Sequence, residues 1–339
     1  MKTGQRSFFL ALFALLSFII TEETGAQPSD TTRFKPYGEP ILRIFTNFHV
    51  GYIGTRMASA AFDITRGYFG YQLYLHPRFT AKILLDVGSP QDLSPESHIK
   101  RYAYFKNANI TYHTRRFSWA FGLVSTRAFK LSEKYWNHRY IYKPYMDQYR
   151  FEPSADLGTI VSYSFLPSLS ADLSITNGEG YTSLQADTSF KTGLGITWKP
   201  AEKWVLRGYG DIYHKTVHKS VMSVFGGFKT EELMIGGEID YYLNAGNKQG
   251  WNSYGFSVST SWNLNEHFQL FGRYDFLTSS LPAGEEPGWM EKTNGSAIIT
   301  GLQYTPIKYL KIAANYRHWE ASNGYDNLNW FFINLEIRY

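Results

Sequence analysis

The stretch Lys203–Lys215, "KWVLRGYGDIYHK", decides the fold. Trp204, Leu206 and Ile212 share one face with Gly208 and Gly210, while Arg207, Tyr209, Asp211 and Tyr213 share the other. Successive side chains of a strand point to opposite faces, so this two-residue period predicts a β-strand with one apolar and one polar side. In "HFQLFGRYDFL" the pattern recurs, with Phe268, Leu270, Tyr274 and Phe276 opposite Gln269, Phe271, Arg273 and Asp275. "YLKIAANYRHW" repeats it, with Leu310, Ile312, Ala314 and Tyr316 opposite Lys311, Ala313, Asn315 and Arg317. A helical period is almost absent from the rest of the chain.

A soluble sandwich also alternates, so the connections carry the distinction. Short turns ("LHPRF", "HTRRF", "FLPSL", "WKPAEKW", "FKTEEL", "NLNEHF" and "YTPIKYL") alternate with longer links rich in Gly, Asn, Asp and Ser. Tight turns on one side and long loops on the other are the pattern of a membrane-spanning barrel. The seven short turns imply seven hairpins, and a strand near 40–51 plus one at the end bring the total to about sixteen. One misread alternation would make it about fourteen or eighteen, even numbers being the rule for single-chain bacterial barrels. Phe79, Phe117, Phe165, Trp198, Trp204, Trp262, Phe268, Tyr304 and Tyr309 flank the short turns, where rings suit a membrane–water boundary.

At the start, Lys2 and Arg6 precede "FFLALFALLSFII" and then "TGA", which reads as a secretory signal over residues 1–26. Residues 27–39 are expected to form an N-terminal periplasmic segment and 40–339 the barrel. The chain has no cysteine, which excludes a lipobox, a disulfide framework and cysteine-based chemistry. A net charge of +5 is too diffuse for nucleic acid as a partner. No HExxH, P-loop or nucleophile-elbow motif occurs, and no cofactor is implied. His214 and His218 in "HKTVH" have helix-face spacing, but they sit beside an external hairpin without a carboxylate partner, so we expect no metal there.

The longest connection, "RAFKLSEKYWNHRYIYKPYMDQYRFEPS", follows the fifth strand as the third external loop. Its first half lacks Gly and Pro until Pro144, which suits a short helix. Its aromatic content would leave a large apolar patch if solvated, so residues 127–153 are expected to fold inward as a constriction. With this loop and the strand architecture, the whole mature chain resembles a bacterial outer-membrane porin, whose sixteen-stranded members fold their third loop into the lumen. It is more loosely similar to the phosphate- and polyphosphate-selective porin superfamily, without that group's dense basic ladder. The resemblance implies the outer membrane of a Gram-negative bacterium, a homotrimer, and partners consisting of outer-membrane lipid, the barrel-assembly machinery and small hydrophilic solutes.

Within the loop, Arg127, Lys130, Lys134, Arg139, Lys143 and Arg150 outnumber Glu133, Asp147 and Glu152, which predicts a net positive constriction favouring anions. The loop tyrosines and Trp136 offer either a sliding surface for sugars or simple anchors to the wall. Arg207, Asp211, Arg273, Asp275, Lys311 and Arg317 are candidate lumen-wall groups, along with Lys82, Asp86, Glu238, Asp240, Glu336 and Arg338. These charges read either as a field across the pore or as cross-strand ion pairs that stiffen the wall. The alternatives to passive diffusion are a lipid hydrolase or a structural or secretion-complex barrel. The last stretch, "NWFFINLEIRY", alternates Phe331, Ile333, Leu335 and Ile337 towards lipid with Glu336 and Arg338 towards the pore. It is expected to pair with the first strand, with Tyr339 serving as an assembly signal by resemblance to terminal aromatics of such barrels.

Overall fold

The computed structural model describes residues 34–88, 102–185, 187–284, 293–322, 324 and 326–339. The expected signal segment therefore lies outside the described residues. The sixteen strands begin with β1 (Tyr37–Ile53), β2 (Arg56–His76), β3 (Phe79–Gly88), β4 (Tyr102–His113) and β5 (Phe117–Ser125). After the long connection come β6 (Ala155–Leu166), β7 (Leu169–Thr176), β8 (Lys191–Ala201), β9 (Trp204–His214), β10 (His218–Lys229) and β11 (Leu233–Leu243). The chain continues through β12 (Asn252–Asn263), β13 (Phe268–Ser280), β14 (Gly295–Ile307), β15 (Leu310–Ala321) and β16 (Leu328–Arg338). Each strand pairs antiparallel with its neighbours in sequence, and β16 pairs with β1, closing the barrel. The first strand starts at Tyr37, three residues before the expected barrel boundary at residue 40.

All seven short turns join consecutive strands as read from the sequence. At the seam the ladder runs from Arg43 opposite Arg338 to Ile53 opposite Leu328. Tyr339 extends it by exchanging hydrogen bonds with Leu42, at 2.9 and 3.1 Å. Closure matters because an unpaired backbone group in hydrocarbon costs several kcal/mol.

The alternation turns inside out relative to a soluble protein. Ile239 is 69 % exposed, Val224 64 % and Phe331 54 %, all on the outer face, while Asp240, Ser223 and Asn334 on the inner face are buried. Each apolar side chain moved from water into hydrocarbon stabilises by about 1.5–3 kcal/mol, so this belt suits lipid and not water. Among the described residues no helix is long and apolar enough to cross a membrane; the strands do so.

Candidate functional site

The connection between β5 and β6 is a closed excursion, its neck pinned by Thr126 N–H donating to Ser154 C=O at 3.1 Å. It contains two short helices, α1 (Lys130–Trp136) and α2 (Tyr145–Gln148). Asn137, in a left-handed conformation (φ 51°), ends α1 by donating its N–H to Glu133 C=O. The loop folds inward as expected, and its aromatics are the reason. Ala128, Phe129, Tyr145, Met146, Tyr149 and Phe151 form one buried cluster with inward residues of β9, β10, β11 and β13, among them Tyr209, Val221, Tyr242 and Leu277. Trp136, Tyr140 and Ile141 form another with Phe45, Tyr68, Leu84, Phe271, Ile299 and Ala313. Tyr135 packs edge-on against Phe225 at 5.3 Å.

Polar anchors supplement these contacts. Tyr145 donates its hydroxyl to Phe276 C=O at 2.7 Å and Tyr149 to Asp275 at 3.1 Å. Arg273 donates to Lys143 C=O at 2.7 Å, and Tyr140 donates to Gln303 at 2.9 Å. Lys106 reaches Ser154 at 2.6 Å, and Lys191 pairs with Glu152. The inner face of β12, formed by Ser253, Gly255, Ser257, Ser259 and Ser261, is buried and small, leaving room for the loop. A Cβ added at Gly255 would collide with the Tyr145 hydroxyl.

The loop also braces itself electrostatically. Arg139 forks between Glu133 at 2.9 Å and Asp147 at 2.6 Å. Burial alone would raise these two carboxyls, but the Arg139 charge holds both below the usual carboxylate range. His138 is fully enclosed, its ring 4.4 Å from Phe271, and burial pushes its imidazole down to about 4, so it is neutral. Burial likewise lowers the Lys143 ammonium.

Facing Arg139 is a second charged group on β2, β3 and β4. Asp86 accepts from Tyr181 at 2.7 Å and lies 3.4 Å from Arg66 and 3.7 Å from Lys106. The Arg139 charge acts on both Tyr68 and Lys106, so loop and wall lie within electrostatic reach. Next to these two groups opens a cavity of about 1240 Å³, bounded by the loop, by Glu179 to Ser183 and by β14, β15, β16, β1 and β2.

The structure brings Arg139, Lys143 and Arg150 of the six loop bases to this cavity. Lys130 and Lys134 stand on the exposed face of α1, and Arg127 lies behind the loop beside Arg207 and Asp172. Of the wall candidates, Arg317 lines the cavity. Arg207 and Arg273 point inward but are covered by the loop, donating to Arg127 C=O and Lys143 C=O and pairing with Asp172 and Asp275, each at 2.7 Å. Asp211 is buried against the Tyr209 hydroxyl, and Lys311 pairs with Glu336 at 3.6 Å. Six of the twelve expected wall charges, Asp86, Arg207, Arg273, Asp275, Lys311 and Glu336, are in ion pairs. His214 and His218 face each other across the β9–β10 hairpin, ring centroids 4.2 Å apart, on strands and not on one helix.

Arg66, Lys106 and Tyr181 were not legible as site residues. Thr65 forms a bulge where the β1–β2 register shifts, and a second shift between Leu84 and Leu85 leaves both Lys106 and Asn107 buried. Each bulge breaks the two-residue period that sequence reading follows. Tyr181 belongs to the β7–β8 link, held inward by its N–H donating to Ala155 C=O at 3.0 Å.

No protein-family model and no curated protein matches the chain. Solved structures do. OmpT of Vibrio cholerae, expressed in the outer membrane, superposes with a TM-score of 0.63 at 10% identity over 93% of this chain and 100% of the other. Salmonella typhi OmpF in complex with daunomycin gives 0.64 at 10% identity, covering 88% of this chain and 97% of that one. An anion-selective porin from Comamonas acidovorans gives 0.61 at 10% identity over 90% and 100%. At this identity the superpositions show a shared fold alone, and in this chain that fold is a closed sixteen-stranded barrel.

Proposed function

We propose that this protein is an outer-membrane porin of a Gram-negative bacterium, conducting small hydrophilic solutes passively past the 126–154 loop. The observation that carries this reading is the cavity of about 1240 Å³ beside an inward-folded loop, inside a closed barrel whose outer face is an apolar belt. Arg66, Arg139, Lys143, Arg150, Lys219 and Arg317 line the cavity against Asp63, Asp147, Glu152 and Glu179, a basic excess that favours anions. Steric sieving falls to the loop, and no bond is made or broken. Purified protein in planar bilayers tests both parts. Stepwise conductance with a reversal potential of anion sign under a salt gradient is expected; cation preference overturns the selectivity, and absence of conductance overturns the pore.

Tyr339 is proposed as an assembly signal. The residue is 66 % exposed at the seam, and its ring lies 5.9 Å from that of Tyr309 at the short-turn end. Deleting Tyr339 should lower the amount of folded barrel recovered from membranes while leaving single-channel conductance unchanged. Normal recovery refutes the signal. A homotrimer, the form named for one OmpT structure, is the proposed assembly, and cross-linking in mild detergent tests it.

A further inference from the structure

The wall of the cavity opposite the loop carries an aromatic shelf of definite geometry. Trp330 and Phe332 project inward from β16, their rings 28° from parallel with centroids 5.9 Å apart. Trp330 stands opposite Gly51 in the β1–β16 ladder, and a Cβ at Gly51 would collide with the indole. The indole therefore lies along the β1 backbone, in the space that a side chain there would fill. His49, opposite Phe332 on β1, sits 5.4 and 5.5 Å from the two rings. All three line the cavity.

Arg317, opposite Trp330 on β15, completes the shelf. Its guanidinium lies 3.7 Å from the Phe332 ring centroid. Nε donates to Asn315 at 3.1 Å and Nη2 to Asn334 at 3.3 Å, which fix its plane. Those two partners are neutral amides, and no carboxylate of the described residues lies within 4.0 Å of it. By contrast Arg66, Arg139, Arg207 and Arg273 each face a carboxylate. A guanidinium with its orientation fixed, its charge unpaired and Nη1 left free to donate is preorganised for an anion brought in from the cavity.

The geometry points to a binding subsite on this shelf for a small ring-bearing carboxylate, the carboxylate at Arg317 Nη1 and an apolar face of the ring against Trp330. The shared chemistry is a carboxylate beside an apolar ring face, which an aromatic acid presents as its π face and a uronic acid as the C–H face of its puckered ring. The inference rests on the reading of the barrel as a pore and names what that pore retains in transit.

Single-channel recording of the full-length protein, with benzoate, glucuronate, acetate or glucose added, tests it. Acetate controls for charge without a ring and glucose for a ring without charge. Current interruptions should appear with benzoate, glucuronate or both at concentrations about tenfold below those for either control, the advantage over glucose coming from the charge-assisted hydrogen bond and that over acetate from the ring contact with Trp330. Benzoate alone identifies an aromatic-acid site, and glucuronate alone a sugar-acid site. Arg317→Gln and Trp330→Ala should each abolish that preference. Arg317→Lys, which keeps charge but not the fixed planar fork, should weaken it. Ring anions that interrupt no better than acetate and glucose overturn the subsite, as do interruptions unchanged in Arg317→Gln and Trp330→Ala channels of normal conductance. Glucose flux into liposomes persists in either case if the pore reading holds, so the two failures are distinct.

Discussion

Two halves of the lumen wall behave oppositely. From β9 to β13 the inner face is covered by the loop and includes a strand of serines and a glycine, Ser253 to Ser261, with Tyr145 and Met146 packed against that side without exposure. From β15 through β16 to β2 the loop packs at Phe45, Tyr68 and Ala313, and beyond these contacts large inward side chains, including Trp330, Phe332, His49, Arg66 and Arg317, border open space. A barrel this wide has no core of its own, because its strands turn their apolar sides outward. The loop supplies one: the lumen it fills becomes a packed protein interior, and the cavity beside it remains open.

Removing the covering is the most disruptive test of this contrast. A variant lacking residues 130–145 should conduct severalfold more and admit larger neutral sugars in liposome swelling; an unchanged size cutoff would show that the loop does not narrow the pore. Smaller, but still large, is the effect of Tyr145→Ala. It removes a fully buried ring and a hydrogen bond to Phe276 C=O. We expect about 3–5 kcal/mol less stabilisation of the docked loop, read as increased current noise and earlier proteolytic cleavage within 126–154.

Acid should loosen the same half. A buried imidazole held at about 4 stays neutral in the docked loop while a released loop takes up a proton, so docking weakens as pH falls from about 6.5 towards 4. That displacement is worth on the order of 3 kcal/mol. The depressed carboxyls of Glu133 and Asp147 act further down. Their contribution is intact above the ordinary carboxylate range and is lost as pH falls through their lowered values. Channel noise should therefore rise between pH 6.5 and 4 in the native protein, and His138→Gln should flatten that first phase. The smallest effect belongs to Lys134→Ala. This residue is exposed on α1 and away from the cavity, so stability should change by less than about 0.5 kcal/mol and the reversal potential should hold.

The contrast also separates what was legible in the sequence from what was not. Strand number, the short turns and the inward loop followed from local patterns: alternation in Trp204–His214, Pro in "WKPAEKW", and rings too numerous for a solvated loop. The working half of the lumen did not follow, for two reasons. Alternation reports that Arg207 and Arg273 point inward, but it contains no information about what covers them; the loop does. Bulges at Thr65 and at Lys106 break the alternation beside Arg66 and Lys106, so a two-residue period does not report their faces. One signal was present and unread, since every inward position of "NSYGFSVSTSWN" from Ser253 to Ser261 is Ser or Gly. A lumen facing only water has no need of small residues; a lumen facing a loop does.

The small inner face of β12 also bears on exchange of parts between barrels. Gly255 admits the Tyr145 hydroxyl only because it lacks a Cβ, so loop and strand fit as a matched pair separated by about a hundred positions in the chain. Grafting residues 126–154 onto another sixteen-stranded barrel with bulkier side chains at these positions would leave the loop nowhere to seat. The transferable module is the loop together with its distant strand, although the two are never adjacent in sequence.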